Sequence, residues 1–277
     1  MSALRGRVRS AVQGGLKWTS AAADVVRRPE PGAVVLIYHR VGRRTPMEVD
    51  LDAQRFDEQM AALAASGRAC TLDVALDRLA GSDDCAVDPV VVTFDDGTAD
   101  FVEVALPILV RHGIPALLYV ATEFVDEGRM FPDAGTPTSW SALRDAVATG
   151  LVDIGSHTHS HALLDRLDPQ HIASELDTSI GLIGDRLGVS ARHFAYPKAV
   201  EGSPAAKAAV RERFASAAVA GTRPNPYGRT DPYRVARSPI QHADGMRWFE
   251  RKVSGGMRFE DDVRRVLNRV RYAGATT

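Results

Sequence analysis

The chain has 277 residues, 45% of them apolar and 25% charged, and a formal net charge of -1. That composition is the globular average and excludes a disordered or fibrous chain, while a charge near zero gives no general pull toward nucleic acid. Cys70 and Cys85 are the only cysteines; one possible bridge is no disulfide framework, so both read as buried thiols.

In residues 3 to 27, Leu4, Val8, Val12 and Leu16 recur every fourth residue with Arg5, Arg7 and Arg9 among them. This predicts a basic helix that either packs on the domain or lies along a membrane surface as a peripheral contact. Arginines and glycines interrupt the stretch that a secretory signal keeps apolar, so the expected location is cytoplasmic, peripheral at the inner membrane surface if the helix lies on a membrane instead of on the domain. No run reaches the ~18 apolar residues of a membrane span.

After Pro29 and Pro31 the pattern changes to a continuous apolar run, which opens the folded domain. Strands are predicted at 33–38, 89–94, 115–121, 151–156, 193–196, 215–220 and 234–240, with helices at 52–67, 72–80, 98–112, 139–149, 169–187, 203–213 and 245–254. Strand and helix in alternation imply a parallel sheet covered by helices. The strands are apolar throughout instead of alternating, as strands buried on both faces must be, so the expected fold is α/β with a distorted barrel of about seven parallel strands. The expected division is an extension over 1–32, a main folded domain over 33–256 and a terminal helix or tail over 257–277. No glycine-rich nucleotide loop follows any strand.

Ligand sites in parallel α/β folds lie at the carboxyl ends of the strands. TFDDG, Thr93 to Gly97, ends one apolar run with two adjacent carboxylates, which repel unless a cation neutralises one; the alternative is that one of them caps the next helix. GSHTHSH, Gly155 to His161, ends another run. His157 and His161 are four apart, so one helical turn would bring both imidazoles to one side while His159 points away. With Asp96 they form a two-histidine, one-carboxylate set that leaves coordination positions open, a catalytic kind of metal site. It suits one divalent ion, zinc first, with cobalt or nickel as alternatives.

The chain resembles the polysaccharide deacetylase family, also called the NodB-homology domain or carbohydrate esterase family 4. The likeness runs through LIYHRVG at 36–42, VVTFDDG at 91–97, ALPILVRHGIPALLYVAT at 105–122, GLVDIGSHTHSH at 150–161 and HFAYP at 193–197. It implies that Asp96, His157 and His161 hold the metal, that Asp95 is the general base, and that the barrel has fewer than eight strands. The backbone N–H of Tyr196, next to Pro197, is expected to face the substrate and stabilise the oxyanion, and Thr158 and Ser160 to hold the histidine loop. In HFAYP, Ala195 stands where the family's arginine braces the base, so the brace falls to Arg192 or Lys198, and Phe194 packs in the core. Ile240-Gln241-His242 loosely matches the segment that supplies the general acid, which makes His242 the candidate acid. His39, at the end of the first strand, is a candidate for substrate contact or for the same acid role.

The function expected from the resemblance is hydrolysis of the N-acetyl amide of an amino sugar in a polysaccharide, oligosaccharide or glycoconjugate. The alternatives are a noncatalytic carbohydrate-binding protein on the same fold and an amidase for a non-sugar amide. The expected partner is an N-acetylated carbohydrate, with no nucleic acid and no obligate protein partner.

Overall fold

The computed structural model describes residues 15–26, 28–81 and 87–263. Ten strands occur among them: β1 (Gly32–Tyr38), β2 (Arg40–Val41), β3 (Asp50–Leu51), β4 (Val90–Phe94), β5 (Ala116–Val120), β6 (Val152–Ser156), β7 (His193–Ala195), β8 (Ser216–Ala220), β9 (Asn225–Pro226) and β10 (Val235–Pro239). The helices are α1 (residues 15–26), α2 (Ala53–Ser66), α3 (Leu72–Ala80), α4 (Leu106–His112), α5 (Thr122–Glu127), α6 (Trp140–Ala148), α7 (Pro169–Leu187), α8 (Pro204–Arg213) and α9 (Gly245–Val253).

Seven of the strands close into a parallel barrel in the order β1, β4, β5, β6, β7, β8, β10, and β10 returns to β1 through Val35 opposite Arg237. These are the seven predicted strands, each shifted by no more than a residue or two at its ends. Successive side chains on a strand point to opposite faces, and here both faces are buried. Ala33, Val35, Val91, Leu117, Tyr119, Ala195, Ala218 and Val235 make one core inside the barrel, while Val34, Leu36, Val90, Val92, Leu118 and Ile154 make another beneath the helices. Two buried faces explain why the strand sequences lack alternation. Gly155 makes room for the inward Tyr119, since a Cβ there would lie 2.6 Å from its ring. Helix α3 packs against the interior core through Leu72, Ala75 and Leu79 and so closes the amino end of the barrel. The opposite end is the mouth.

Three local features depart from expectation. The helix predicted over 98–112 is split, with a π-helical turn at Phe101–Ala105 before α4. Pro107 cannot donate to residue 103 and its ring clashes with that carbonyl, so the chain widens by one residue ahead of it. Helix α5 and the paired strands β2 and β3 are too short to show periodicity. Cys70 is half-buried and reduced, its thiol pushed up by burial; Cys85 lies outside the described residues.

Of the predicted helix over 3–27, residues 15–26 are described and helical, and residues 1–14 lie outside the description. Lys17 pairs with Asp244, which also accepts from Lys252 at 2.7 Å, and all three are buried. Lys252 donates as well to the Pro239 carbonyl at 2.8 Å, tying α1 and α9 to the mouth end of the last barrel strand. Burial raises the Asp244 carboxyl, but the charges of Lys252 and Lys17 and their hydrogen bonds outweigh it, and its net shift is downward. A carboxyl whose folded pKa is depressed contributes stability that is present above its unfolded value of about 3.9 and lost as pH falls through the folded value. Thermal melts of Asp244→Asn against the parent should therefore show a stability gap that is constant near neutrality and narrows as pH falls below about 4.

Candidate active site

The sharp turn after β4 sets the first part of the site. Asp96 and Gly97 both take positive φ, 78° and 100°, a conformation that costs a non-glycine residue and concentrates at functional sites. The turn is held by Ala121 N–H donating to the Asp96 carbonyl at 3.0 Å and Thr138 N–H donating to the Gly97 carbonyl at 3.0 Å. As a result the two neighbouring carboxylates diverge. Asp95 continues the inward face of β4, and Asp96 turns toward the histidines. The capping alternative falls away: the helical stretch begins at Ala99, whose N–H donates to the Thr136 carbonyl, and among the described residues neither the Asp95 nor the Asp96 carboxylate accepts from its first turn.

His157 and His161 come from the loop after β6. Their Nε2 atoms lie 3.8 and 3.6 Å from Asp96 Oδ1, and one ligand atom from each of the three residues lies within 4.8 Å of the others. The convergence was expected, but not the means. Residues 157–161 form no helix; Thr158 and His161 take positive φ of 63° each, and this irregular loop aims both rings. Three donors around one ion at about 2.1 Å stand roughly 3 to 4 Å apart, which the two separations from Asp96 match. His157 Nδ1–H donates to the Ala195 carbonyl at 2.8 Å, which leaves Nε2 as the lone-pair nitrogen facing Asp96. Burial and the neighbouring His157 push His161 down to about 4, so it is a neutral imidazole at pH 7, the form that ligates. His159 points away and its Nδ1 meets Thr122 Oγ1 at 3.0 Å.

Glu175 on α7 holds the loop. Its carboxylate accepts from the backbone N–H of His159 and Ser160, at 3.0 and 2.8 Å, and from the Ser160 hydroxyl at 2.7 Å. Ser160 thus fixes the loop as expected. Thr158 does not do so through its side chain: the hydroxyl is buried without a hydrogen-bond partner among the described residues, and the residue contributes its carbonyl, which accepts from Thr122 N–H at 3.4 Å.

The brace for Asp95 is Arg237, on β10. It donates through Nη1 to Oδ1 at 2.6 Å and through Nη2 to Oδ2 at 2.9 Å, and Nη1 also meets Thr93 Oγ1 at 3.0 Å. Arg237 is 1% exposed and its guanidinium lies over the Tyr119 ring at 4.8 Å. Burial raises the Asp95 carboxyl, yet the charges of Arg237, His157 and His39 and the paired hydrogen bonds prevail and hold it far below the ordinary carboxylate range. The two residues expected in this role are elsewhere: Arg192 is exposed and paired with Asp73 at 2.8 Å, and Lys198 is exposed, its charge bearing on His161. The missed signal was an arginine in the apolar run Val235-Ala-Arg-Ser-Pro, two residues from Val235 and so on the same inward face.

The remaining candidates divide. His39 follows β1 directly beside Asp95, because Tyr38 is in register with Phe94; its Nδ1 has no hydrogen-bond partner among the described residues. His242 follows β10, with its N–H donating to the Glu48 carbonyl at 2.7 Å and its Nδ1 3.0 Å from Asp52 Oδ2. Tyr196 cannot serve as expected. Its N–H is already donated to the Ala218 carbonyl at 3.1 Å in the barrel ladder, and its buried ring packs edge-on against Phe194 at 5.0 Å. Pro197 is buried at the start of a single 3-10 turn. The HFAYP segment shapes the site through the Ala195 carbonyl that orients His157.

The mouth of a closed parallel barrel thus carries an arginine-held carboxylate beside a candidate metal centre of one carboxylate and two imidazoles. The model of the family described as polysaccharide deacetylase matches residues 83–213. IcaB from Ammonifex degensii is 27% identical, over 81% of this chain and 98% of that one, with a TM-score of 0.70. The Streptococcus pyogenes deacetylase PplD, solved in complex with acetate, shares the fold at 19% identity, over 81% and 99%, with a TM-score of 0.71. BC0361, a polysaccharide deacetylase from Bacillus cereus, shares it at 20% identity, over 81% and 69%, with a TM-score of 0.66. No curated protein sequence matches the chain. Over residues 83–213 and in its barrel fold the chain is similar to the polysaccharide deacetylases, hydrolases of carbon-nitrogen bonds other than peptide bonds.

Proposed function

We propose that the chain hydrolyses the N-acetyl amide of an amino sugar in a glycan or glycoconjugate, releasing acetate, with one divalent ion held by Asp96, His157 and His161. The observation that carries this reading is the convergence of those three side chains at the barrel mouth beside an ionised Asp95. An ion held there supplies Lewis acidity toward the acetyl carbonyl and the attacking water; zinc suits the donor set, with cobalt or nickel as alternatives.

Asp95 accepts the proton of the attacking water. Because Arg237 keeps this carboxylate weakly basic, the proton is not retained and passes on toward the leaving amine. His242, just past the end of β10 with Asp52 Oδ2 3.0 Å from its Nδ1 in a contact without hydrogen-bond geometry, is the group that donates to that amine. His39, beside Asp95 with an unpartnered ring nitrogen, contacts the acetamide. The arginine absent from HFAYP would favour a noncatalytic binder if nothing replaced it, and Arg237 replaces it as the brace of the base.

The test is acetate release from an N-acetylglucosamine oligomer. Protein stripped with a chelator should release none, and activity should return on adding zinc, cobalt or nickel. Turnover in the stripped protein, or none with any acetylated sugar after metal is restored, overturns the proposal. The location is proposed to be the cytoplasm, where the substrate is a glycan precursor; recovery of the native protein from the extracellular fraction overturns that part.

A further inference from the structure

Helix α1 is packed the wrong way round for a soluble surface helix. Its inward stripe is Lys17, Ser20, Ala21 and Asp24, spaced at i, i+3, i+4 and i+7. Lys17 pairs with Asp244, the Ser20 hydroxyl accepts from Glu260 N–H at 3.1 Å and Asp24 accepts from Met257 N–H at 2.8 Å. The two charged residues of this helix are therefore spent on the protein. Its outward face is uncharged, with Trp18 at 55%, Val25 at 74% and Val26 at 90% exposure, and Phe259 stands exposed nearby on the segment that α1 packs against.

Cations border this face. Arg247 lies over the Trp18 ring at 3.9 Å, and Trp18 meets Trp248 edge-on at 5.6 Å. A groove of about 480 Å³ beside Val25 is lined by Arg247 and Arg251 together with Asp24, already held by the Met257 N–H, and Glu250. The charge pattern of the chain agrees. Residues 1–14 and 264–277, which continue from α1 and from the helical turn at 258–263, carry seven arginines and no acid, in a chain whose net charge is -1.

We propose that this face docks on an anionic membrane surface, with Trp18, Val25 and Val26 in the interface and Arg247 and Arg251 on lipid phosphates. Aromatic and aliphatic side chains bordered by arginine are what the headgroup boundary accommodates, and anionic lipid attracts each nearby cation. A second copy of the chain fits less well, since a two-fold contact through this patch sets Arg247 and Arg251 against their own copies.

Flotation of the full chain with vesicles tests this. The protein should float with phosphatidylcholine vesicles containing one-quarter phosphatidylglycerol and stay down with phosphatidylcholine alone. The Val25→Asp/Val26→Asp variant, altered only at exposed positions, should lose at least about tenfold in partitioning while keeping its melting temperature and its turnover of a soluble substrate. Three results each overturn the proposal: no flotation, flotation indifferent to lipid charge, or flotation unchanged in the variant. So does a dimer in solution that the variant abolishes without any vesicle binding.

Discussion

Asp95→Asn should lower acetate release by about 1,000- to 10,000-fold while leaving the affinity for the divalent ion within a few-fold of the parent. The size follows from what positioned acid-base groups contribute, and the contrast follows from the geometry. Asp95 faces Arg237 and Asp96 faces the imidazoles, so the substitution removes the proton acceptor without removing a ligand. Asparagine keeps one oxygen to accept from Arg237, which limits the structural damage. Steady-state acetate kinetics and metal titration, run on the same preparation, check both halves. A variant that loses its ion together with its activity would instead show Asp95 to be part of the metal set, and the division of labour between the two aspartates would fail.

The barrel was legible because its strands are buried on both faces, and an unbroken run such as Val90-Val91-Val92 fits few surroundings besides a sheet covered on both sides. The candidate site was legible for a related reason: Asp96, His157 and His161 each stand just past the end of such a run, and strand ends converge at a barrel mouth. What the sequence concealed lies in contacts between elements distant in the chain. Nothing near TFDDG indicates that its first carboxylate pairs with an arginine 142 residues later, and only the parity of Arg237 with Val235 hinted at it. The expectation for Tyr196 failed because a backbone N–H in a short strand is committed by the neighbouring strand, here at Ala218, and sequence does not show which N–H groups a ladder leaves over. His157 and His161 are the pair that a helical turn would bring together, yet they meet by another route, since a loop with two residues at positive φ also joins positions four apart. The orientation of α1 was concealed in the same way as Arg237. Among the described residues its polar stripe hydrogen-bonds to Asp244 and to the backbone of Met257 and Glu260, far along the chain.

Arg237→Met should be the most destabilising single change at the site, because it leaves Asp95 buried without its counter-charge. Breaking a buried pair from one side costs about 3 to 5 kcal/mol, which for a domain of this size lowers the melting temperature by on the order of 10 °C. Turnover should fall with it, since the carboxylate loses both the charge that keeps it ionised and the fork that aims it. Arg237→Lys should recover part of the stability and little of the rate: one ammonium cannot reach both Asp95 oxygens and Thr93 as the planar guanidinium does. The decisive comparison is the double variant Asp95→Asn/Arg237→Met. With both charges gone its melting temperature should lie above that of Arg237→Met alone, a coupling that only directly paired residues give. Additive losses in that cycle, or near-parental turnover in Arg237→Met, would falsify the assignment of Arg237 as the group that holds the base.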